Sequence, residues 1–143
     1  MGTRSAIGVQ QEDGSVLAVY CHWDGYPEYN GKILKDHYDY DKAMQLIKMG
    51  DLSSLGANIG TKHDFHTQVE GECTFYKRDR GEKDVEPRSF DDEEAFFNEF
   101  SSGVEYWYLL LNDVANDDWY VRGYRSKDWK LVSEVLAFEE ESA

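Results

Sequence analysis

A β-hairpin predicted near the N-terminus is the feature that most constrains the fold of this chain. Residues 4–10 alternate polar and small apolar side chains, and residues 16–22 begin with a continuous apolar run, which are the patterns of two strands. Residues 11–15 connect them and include Gly14, the residue type that most easily takes the positive φ of a hairpin turn. The pairing of these strands also determines which side chains meet at the open end of the hairpin.

The open end of this hairpin concentrates polar and aromatic groups. Residues 20–27, Tyr-Cys-His-Trp-Asp-Gly-Tyr-Pro, supply an imidazole, an indole, a carboxylate and two phenols before the chain turns. Because the first residues of one strand lie opposite the last residues of its partner, a cation, Arg4, and a hydroxyl, Ser5, are expected beside His22. This density of donors, acceptors and flat rings at a strand end predicts a ligand site.

The remaining chain predicts an α+β fold. Strands are expected over residues 72–77, 104–111 and 118–124, and helices over residues 30–38, 42–49 and 130–140. A further helix is expected to start at Ser89 or Asp91 and to reach Phe100. Together with the hairpin they predict one domain over residues 1–143, with an antiparallel sheet of about five strands and short helices packed mainly on one face. The acidic tail, residues 139–143, is expected to fray.

Two capping positions and one turn are predicted between the first helices and the later strands. Asp41 is expected to cap the helix over residues 42–49, and Gly50 to end it with a positive φ. Residues 51–56, Asp-Leu-Ser-Ser-Leu-Gly, predict a tight turn whose two leucines enter the core.

The charge of the chain excludes one class of partner. With 29 acidic and 15 basic residues, the net charge is −14, whereas a general nucleic-acid binder needs clustered cations to neutralise phosphates. The acids concentrate at residues 91–94, 113–118 and 139–141. Two interpretations stay open: a solvated surface that aids solubility, or an acidic face that mimics DNA or docks on a basic partner.

Two further features concern the compartment. The chain has no run of about 18 apolar residues and no secretory signal at its start, so neither a membrane span nor a membrane partner is expected. Cys21 and Cys73 are therefore expected to be reduced, buried thiols of a cytosolic protein rather than a disulfide.

The first candidate site combines a cation, a hydroxyl, an imidazole, a carboxylate and two rings: Arg4, Ser5, His22, Trp23, Asp24 and Tyr26. The rings would stack a base, and the imidazole and carboxylate would hydrogen-bond its edge. The forked donors of Arg4 would bind an anionic group. The alternative is structural, with the rings in the core or a lid and Asp24 bonding its own backbone in a turn.

A second candidate site consists of Arg78, Asp79, Arg80 and Glu82. In an acidic chain, two arginines around one residue are a local reversal of charge, which favours a phosphate-binding fork. The two carboxylates would orient the arginines or act as acid and base. The alternative is a charged strand end whose arginines pair with the acidic surface.

A third cluster, His63-Asp64-Phe65-His66, has two histidines and a carboxylate that could bind a metal. No further ligand has a diagnostic spacing, so a solvated loop is the preferred interpretation, and no metal or cofactor is predicted. Cys21 and His22 do not predict a nucleophile and base, because neighbours on a strand point to opposite faces.

Four ordered motifs carry a resemblance: Gly-Thr-Arg-Ser at residues 2–5, the stretch at residues 20–27, Gly-Asp-Leu-Ser-Ser-Leu-Gly at residues 50–56 and Tyr-Lys-Arg-Asp-Arg-Gly-Glu at residues 76–82. Across most of its length the chain resembles a family of small uncharacterised proteins of bacteriophage and prophage genomes. The resemblance implies a viral accessory protein in the cytoplasm of an infected bacterium, and it favours host takeover or counter-defence by analogy.

Three functional hypotheses follow. The first is binding of a small anionic, nucleotide-like ligand, with sequestration of a host signalling nucleotide. The second is an acidic protein–protein inhibitor of the DNA-mimic type, directed at a host defence or nucleic-acid enzyme. The third is a small hydrolase that uses His22, Asp24, Asp79 or Glu82. A homodimer is also expected, because an aromatic content of 15% exceeds what one small core needs.

One geometric condition separates these hypotheses. A composite nucleotide site and a hydrolase both require that the motif around His22 and the motif around Arg80 converge. If the two residues lie on opposite sides of the sheet, both hypotheses fail.

Overall fold

The predicted hairpin forms the centre of a mixed sheet. The structure is a computed structural model, and it describes residues 3–67, 69–100, 103–112 and 118–142. The described residues form eight strands: β1 Ser5–Gln10, β2 Val16–Cys21, β3 Leu52–Ser54, β4 Thr74–Phe75, β5 Arg88–Phe90, β6 Tyr106–Leu110, β7 Trp119–Gly123 and β8 Lys130–Leu131. They also form a π-helical turn, Pro27–Gly31, and five α-helices: α1 Lys32–His37, α2 Tyr40–Lys48, α3 Tyr76–Arg80, α4 Glu93–Glu99 and α5 Val132–Ser142.

The strands follow the order β4-β3-β2-β1-β6-β7-β8, and β5 also pairs with β2. β1 and β2 are antiparallel, with Ser5 opposite Cys21 and Gln10 opposite Val16, so the predicted hairpin and its register are confirmed. Gly14 takes a φ of +88° in the connecting turn. The hairpin therefore places the residues before β1 next to those that follow β2.

The prediction of a purely antiparallel sheet of about five strands is wrong, although the α+β class is confirmed. β1 pairs with β6, and β2 with β3, in parallel. β4 and β8 have two residues each, and β3 and β5 have three. Segments this short carry too little alternation to be recognised in a sequence, and parallel pairing joins strands that are distant along the chain.

Helices cover the two faces of the sheet unequally. α1, α2 and α5 pack on one face, here called the three-helix face, over a core that includes Ile7 and Val19. α4 packs on the other face, the α4 face, where Phe96 and Phe100 contact Ala18. Three of the five helices thus share one face, as the sequence predicted. The α4 phenylalanines lie in one cluster with Val16 and Ala18 of β2, several residues before His22.

Local structure differs from the predictions at two places. Residues 51–56, expected as a turn, contain β3, because Leu52 pairs with Cys21 at the end of β2. The strand expected over residues 72–77 ends at Phe75, and Tyr76 starts α3. α3 is held in this position by Asp79, which accepts the Phe75 N–H at 2.8 Å.

The ends of α2 are defined by Asp39 and Gly50. Asp39, rather than the predicted Asp41, caps the helix by accepting the Lys42 N–H at 2.9 Å. Gly50 follows the helix with a φ of +86°, as predicted. An added Cβ there would overlap the carbonyl oxygen of Val85, which accepts the Asp51 N–H at 2.9 Å. Glycine is therefore required both for the backbone conformation and for this close approach.

Cys21 and Cys73 are buried free thiols, which confirms the expectation of reduced cysteines. Among the described residues, no helix combines the length and the apolar character that a membrane span requires. The acidic tail expected at residues 139–143 falls on the end of α5 as far as Ser142, and Ala143 lies outside the described residues. Most of the acidic cluster at residues 113–118 also lies outside them.

Candidate functional site

The first predicted cluster lies where the chain leaves β2. Side chains alternate across a strand, so Tyr20 belongs to the α4 face and Cys21 to the three-helix face. His22 is on the same face as Tyr20, and its Nδ1 lies 2.8 Å from the Tyr20 hydroxyl. Cys21 and His22 thus point to opposite faces, and they do not form a nucleophile–base pair.

His22 is held in its neutral form. Burial lowers the pKa of His22 below its usual range, and the positive charge of nearby Arg4 lowers it further. The imidazole therefore carries one N–H near pH 7. A phenol hydroxyl is a stronger acid than a neutral imidazole N–H, so we assign the Tyr20 hydroxyl as the donor to Nδ1. This leaves the imidazole proton on Nε2.

Arg4 is the cation beside His22. Its side chain is exposed, and with the residues that the structure describes it makes no hydrogen bond or ion pair. The guanidinium lies against Gly103, where an added Cβ would be 2.9 Å from Arg4 Nη1, so the missing side chain leaves room for it. The Arg4 guanidinium, which has no acceptor among the described residues, and the N–H of neutral His22 are two neighbouring donor groups that suit an anion.

Arg80 is linked to the His22 cluster through two phenols. Burial, followed by the neighbouring phenol of Tyr20, raises the pKa of Tyr76, so the Tyr76 and Tyr20 side chains lie near each other. The Arg80 guanidinium is 5.9 Å from the Tyr76 ring centroid and 5.0 Å from that of Phe65. Its Nε forms an exposed ion pair with Glu82 at 3.5 Å. The Tyr20 hydroxyl in turn lies 2.8 Å from His22 Nδ1, so Tyr20 and Tyr76 stand between the two motifs.

Arg78, two residues before Arg80, is committed to the fold. All five of its N–H donors have protein acceptors at 2.9–3.1 Å: the carboxylate of Asp79 and the carbonyl oxygens of Ile59, Gly60 and Cys73. Its guanidinium also lies 4.7 Å from the Phe75 ring centroid. Arg78 thus ties residues 59–60 to the start of α3 and has no N–H left for a ligand.

Asp79 is equally committed. Its side chain is fully buried and accepts hydrogen bonds from the backbone N–H groups of His63 and Phe75 and from Arg78. Burial acts to raise the pKa of Asp79, but these hydrogen bonds and the charge of Arg78 outweigh it and hold the pKa below its usual range. Both oxygens are occupied, so the geometry gives Asp79 a structural role rather than that of an acid or base.

The two histidines of the third cluster, His63 and His66, differ in their exposure to solvent. The His63 side chain is 11% exposed, and its Nε2 lies 3.1 Å from the Thr74 hydroxyl, whereas His66 is exposed. His63 therefore packs against the rest of the fold near α3 and does not lie in a solvated loop. In the described part of the chain, no three His, Cys, Asp or Glu side chains form a group that could hold a metal ion.

Ser5 lies on the three-helix face of the sheet, whereas His22 lies on the other face. It is fully buried, and its hydroxyl is 3.4 Å from the Asn30 amide nitrogen, which also lies 3.4 Å from the Cys21 sulfur. The hairpin does bring Ser5 next to this end of β2, but strand alternation turns its side chain into the core. Ser5 is not accessible to a ligand at His22.

Trp23, Asp24 and Tyr26 lie beside the α4 face rather than on it. The Trp23 ring meets the His22 ring edge to face, with centroids 4.8 Å apart, but the indole lines a separate groove together with Asp24 and Tyr29. Tyr26 is exposed next to Tyr29, with ring centroids 6.3 Å apart. The first cluster is thus divided between two surfaces.

Sequence reasoning missed Asp51 and Arg88, which also lie at this end of the sheet. One oxygen of Asp51 accepts the Tyr20 N–H at 2.9 Å, and the other accepts from Arg88 at 3.1 Å. Burial raises the pKa of Asp51 in spite of that hydrogen bond and the charge of Arg88. The two residues meet because β3 and β5 both pair with β2, which no local pattern in the sequence indicates.

Arg4 and His22 therefore lie together at the open end of the hairpin, Arg80 is linked to them through Tyr76 and Tyr20, and the Ser5 side chain is directed into the core. The chain was compared with protein-family models, with curated proteins and with solved structures, and none of the three comparisons found a match.

Proposed function

We propose that the protein binds a small anionic, nucleotide-like ligand at the open end of the hairpin, beside Arg4 and His22. The observation that carries the proposal is the guanidinium of Arg4, which has no acceptor among the described residues and lies beside neutral His22. Phosphate and carboxylate groups match the forked donors of arginine, and the Nε2–H of His22 adds a third donor of fixed direction.

A ring platform next to these donors supports the nucleotide-like character of the ligand. The rings of Phe65 and Tyr76 have centroids 5.5 Å apart, and Arg80 lies over both. Flat rings with a guanidinium are the usual surface for stacking a base. The ion pair of Arg80 with Glu82 is exposed, and such pairs contribute about 0–1 kcal/mol, so a doubly charged phosphate can replace the carboxylate.

The proposal is binding without turnover. Both oxygens of Asp79, the buried acid of the second cluster, are occupied by hydrogen bonds, which weighs against the hydrolase hypothesis. In the bacteriophage setting that the resemblance implies, such binding would remove a signalling nucleotide of the host from solution.

A panel of linear and cyclic nucleotides, screened by thermal unfolding and followed by calorimetry, tests the proposal. A ligand at a hundredfold excess over its Kd stabilises the folded state by about 2.7 kcal/mol, which gives a clear rise in Tm. Arg4→Ala is expected to remove this rise. Arg125→Ala is the control, because it deletes an exposed guanidinium that lies over Tyr124 and removes one positive charge, as Arg4→Ala does. It is expected to retain binding.

Two results would overturn the proposal. One is the absence of a Tm change with every nucleotide of the panel. The other is an equal loss of binding in Arg4→Ala and Arg125→Ala, which would reveal a general charge effect instead of a site.

A further inference from the structure

A groove beside the end of β2 forms a second surface with its own chemistry. It has a volume of about 550 Å³ and lies between the segment after β2 and residues 69–72. Its walls include the rings of Trp23 and Tyr29 and the apolar side chains of Leu55 and Val69. It is therefore an open groove in which aromatic and apolar side chains stand next to polar ones, and not only a solvated turn.

Exposed apolar side chains concentrate at this groove. In the part of the chain that the structure describes, five large hydrophobic residues are exposed, and three of them, Trp23, Tyr29 and Val69, line this groove. A fourth, Tyr26, lies next to Tyr29, and each of the four is 37–42% accessible. The fifth, Tyr124, follows β7. Single exposed apolar residues are ordinary, but a contiguous group of aromatic rings marks an interaction surface.

The rings are presented by a rigid backbone. The Trp23 N–H donates to the Ser53 carbonyl at 3.0 Å, and the Trp23 carbonyl accepts from the Asn30 side chain at 3.2 Å. The Asn30 N–H closes the loop onto the Asp24 carbonyl at 3.2 Å. Because these bonds already order the loop, a partner that docks on it loses little conformational entropy.

The charge of the groove has one sign. Its ionisable lining consists of the carboxyl groups of Asp24, Glu70 and Glu72 and the phenol of Tyr29, without a lysine or arginine among the described lining residues. Burial raises the pKa of Tyr29, and the charges of Asp24 and Glu70 raise it further, so both carboxylates act on the ring. A cation is attracted by the ring faces and by the carboxylates together.

We propose that this groove binds an arginine side chain of a basic partner protein. The planar guanidinium can stack on the Trp23 indole while its N–H fork meets a carboxylate, which the compact ammonium of lysine does less well. A basic partner is also what the net charge of −14 favours. The proposal does not depend on the anion site, because that site uses Arg4 and His22.

Calorimetry with an arginine-rich peptide of 12 residues tests the groove directly. Glu70→Gln is expected to weaken binding about tenfold, the scale of one hydrogen bond to a charged group. Glu99→Gln removes the same single charge from an exposed position of α4 and is expected to change the affinity less than twofold. Trp23→Ala is expected to weaken binding as Glu70→Gln does, and Tyr124→Ala is its control.

A ¹H–¹⁵N spectrum of the indole groups provides a second readout. The Trp23 indole signal is expected to shift on addition of the peptide, whereas the indoles of Trp107 and Trp119, which donate to the carbonyls of Phe100 and Tyr38, are expected to stay unchanged. A lysine peptide of equal length is expected to bind more weakly than the arginine peptide.

Three results would overturn the proposal. They are an equal weakening in Glu70→Gln and Glu99→Gln, a Trp23 indole signal that does not move, and equal affinities for the arginine and lysine peptides. Each would mean that the peptide is attracted by the overall charge and not by this groove. None of them bears on nucleotide binding at Arg4.

Discussion

Tyr20 and His22 stand two residues apart at the end of β2, and the Tyr20 hydroxyl lies 2.8 Å from Nδ1 of His22. The strand period of two residues places both side chains on the α4 face, and the phenol then determines which imidazole nitrogen keeps the proton. Arg4, brought alongside by the hairpin, favours the neutral imidazole. Arg4, Tyr20 and His22 thus form one group of hydrogen-bond donors at the open end of the hairpin.

The titration of His22 is the first prediction. Arg4→Ala is expected to raise the pKa of His22, because a positive charge is removed, but the pKa stays below 6.5 since burial remains the larger cause. NMR titration of the imidazole measures it, in the native protein and in Arg4→Ala under the same conditions. A His22 pKa that falls or is unchanged in Arg4→Ala would contradict the arrangement.

The same lowered pKa has a consequence for stability. Near pH 6.5 the unfolded chain binds more protons at His22 than the folded protein, so the free energy of unfolding rises with pH in this window. His22 therefore destabilises the fold as the pH falls from 6.5 to its folded-state pKa.

Imidazole ¹⁵N shifts are expected to show the Nε2–H form in the native protein and a loss of that preference in Tyr20→Phe.

The second prediction concerns Asp79. Asp79→Asn removes the charge that four donors surround, and breaking a buried ion pair from one side costs about 3–5 kcal/mol. Urea unfolding measures the loss. Glu82→Gln, which neutralises a member of an exposed pair, is the control and is expected to cost less than about 1 kcal/mol. Equal losses in the two variants would refute the structural role of Asp79.

Asp79 also predicts an acid sensitivity. Its pKa is depressed below 3.8, so its stabilising contribution is complete above that value and is lost as the pH falls through the folded-state pKa. The difference in the free energy of unfolding between the native protein and Asp79→Asn is expected to shrink over that range.

The third prediction compares two glycines with nearly the same backbone conformation. Gly50 and Gly14 have φ values of +86° and +88°, but a Cβ at Gly50 would overlap the Val85 carbonyl, whereas at Gly14 it would meet nothing within 4 Å. Gly14→Ala is expected to cost about 1–2 kcal/mol from the left-handed conformation alone. Gly50→Ala should cost about 1–3 kcal/mol more because the backbone must move. Thermal unfolding that gives equal losses would contradict this.

The fourth prediction concerns the thiols. Burial raises the pKa of Cys21 to about 12 and also raises the pKa of Cys73. Because the thiolate is the reactive form, the native protein is expected to resist a thiol reagent at pH 8, and both cysteines should react after unfolding in guanidinium. Labelling of either thiol in the native protein within minutes would show that the core opens at that site.

Arg78 and Arg80 show why the second cluster could not be interpreted from sequence. Both arginines belong to the short helix α3, where they stand on either side of Asp79. The N–H donors of Arg78 are all taken by the carbonyl oxygens of residues 59–60, by that of Cys73 and by Asp79. Arg80 instead faces the surface over Phe65 and Tyr76. The difference arises from a contact across about twenty residues of irregular chain, which has no period to recognise.

The sequence by itself determined the hairpin, its register, the buried thiols and the adjacency of Arg4 to His22, because each depends on short-range patterning and turn chemistry. Only the tertiary structure decided the mixed order of the strands, the burial of Ser5 away from His22, the groove that Trp23 lines and the opposite charges of the two neighbouring surfaces. These depend on which distant segments, residues 51–54, 69–72 and 88–90 among them, pack around the end of β2. Such contacts are selected by the free energy of the whole core and not by any local signal.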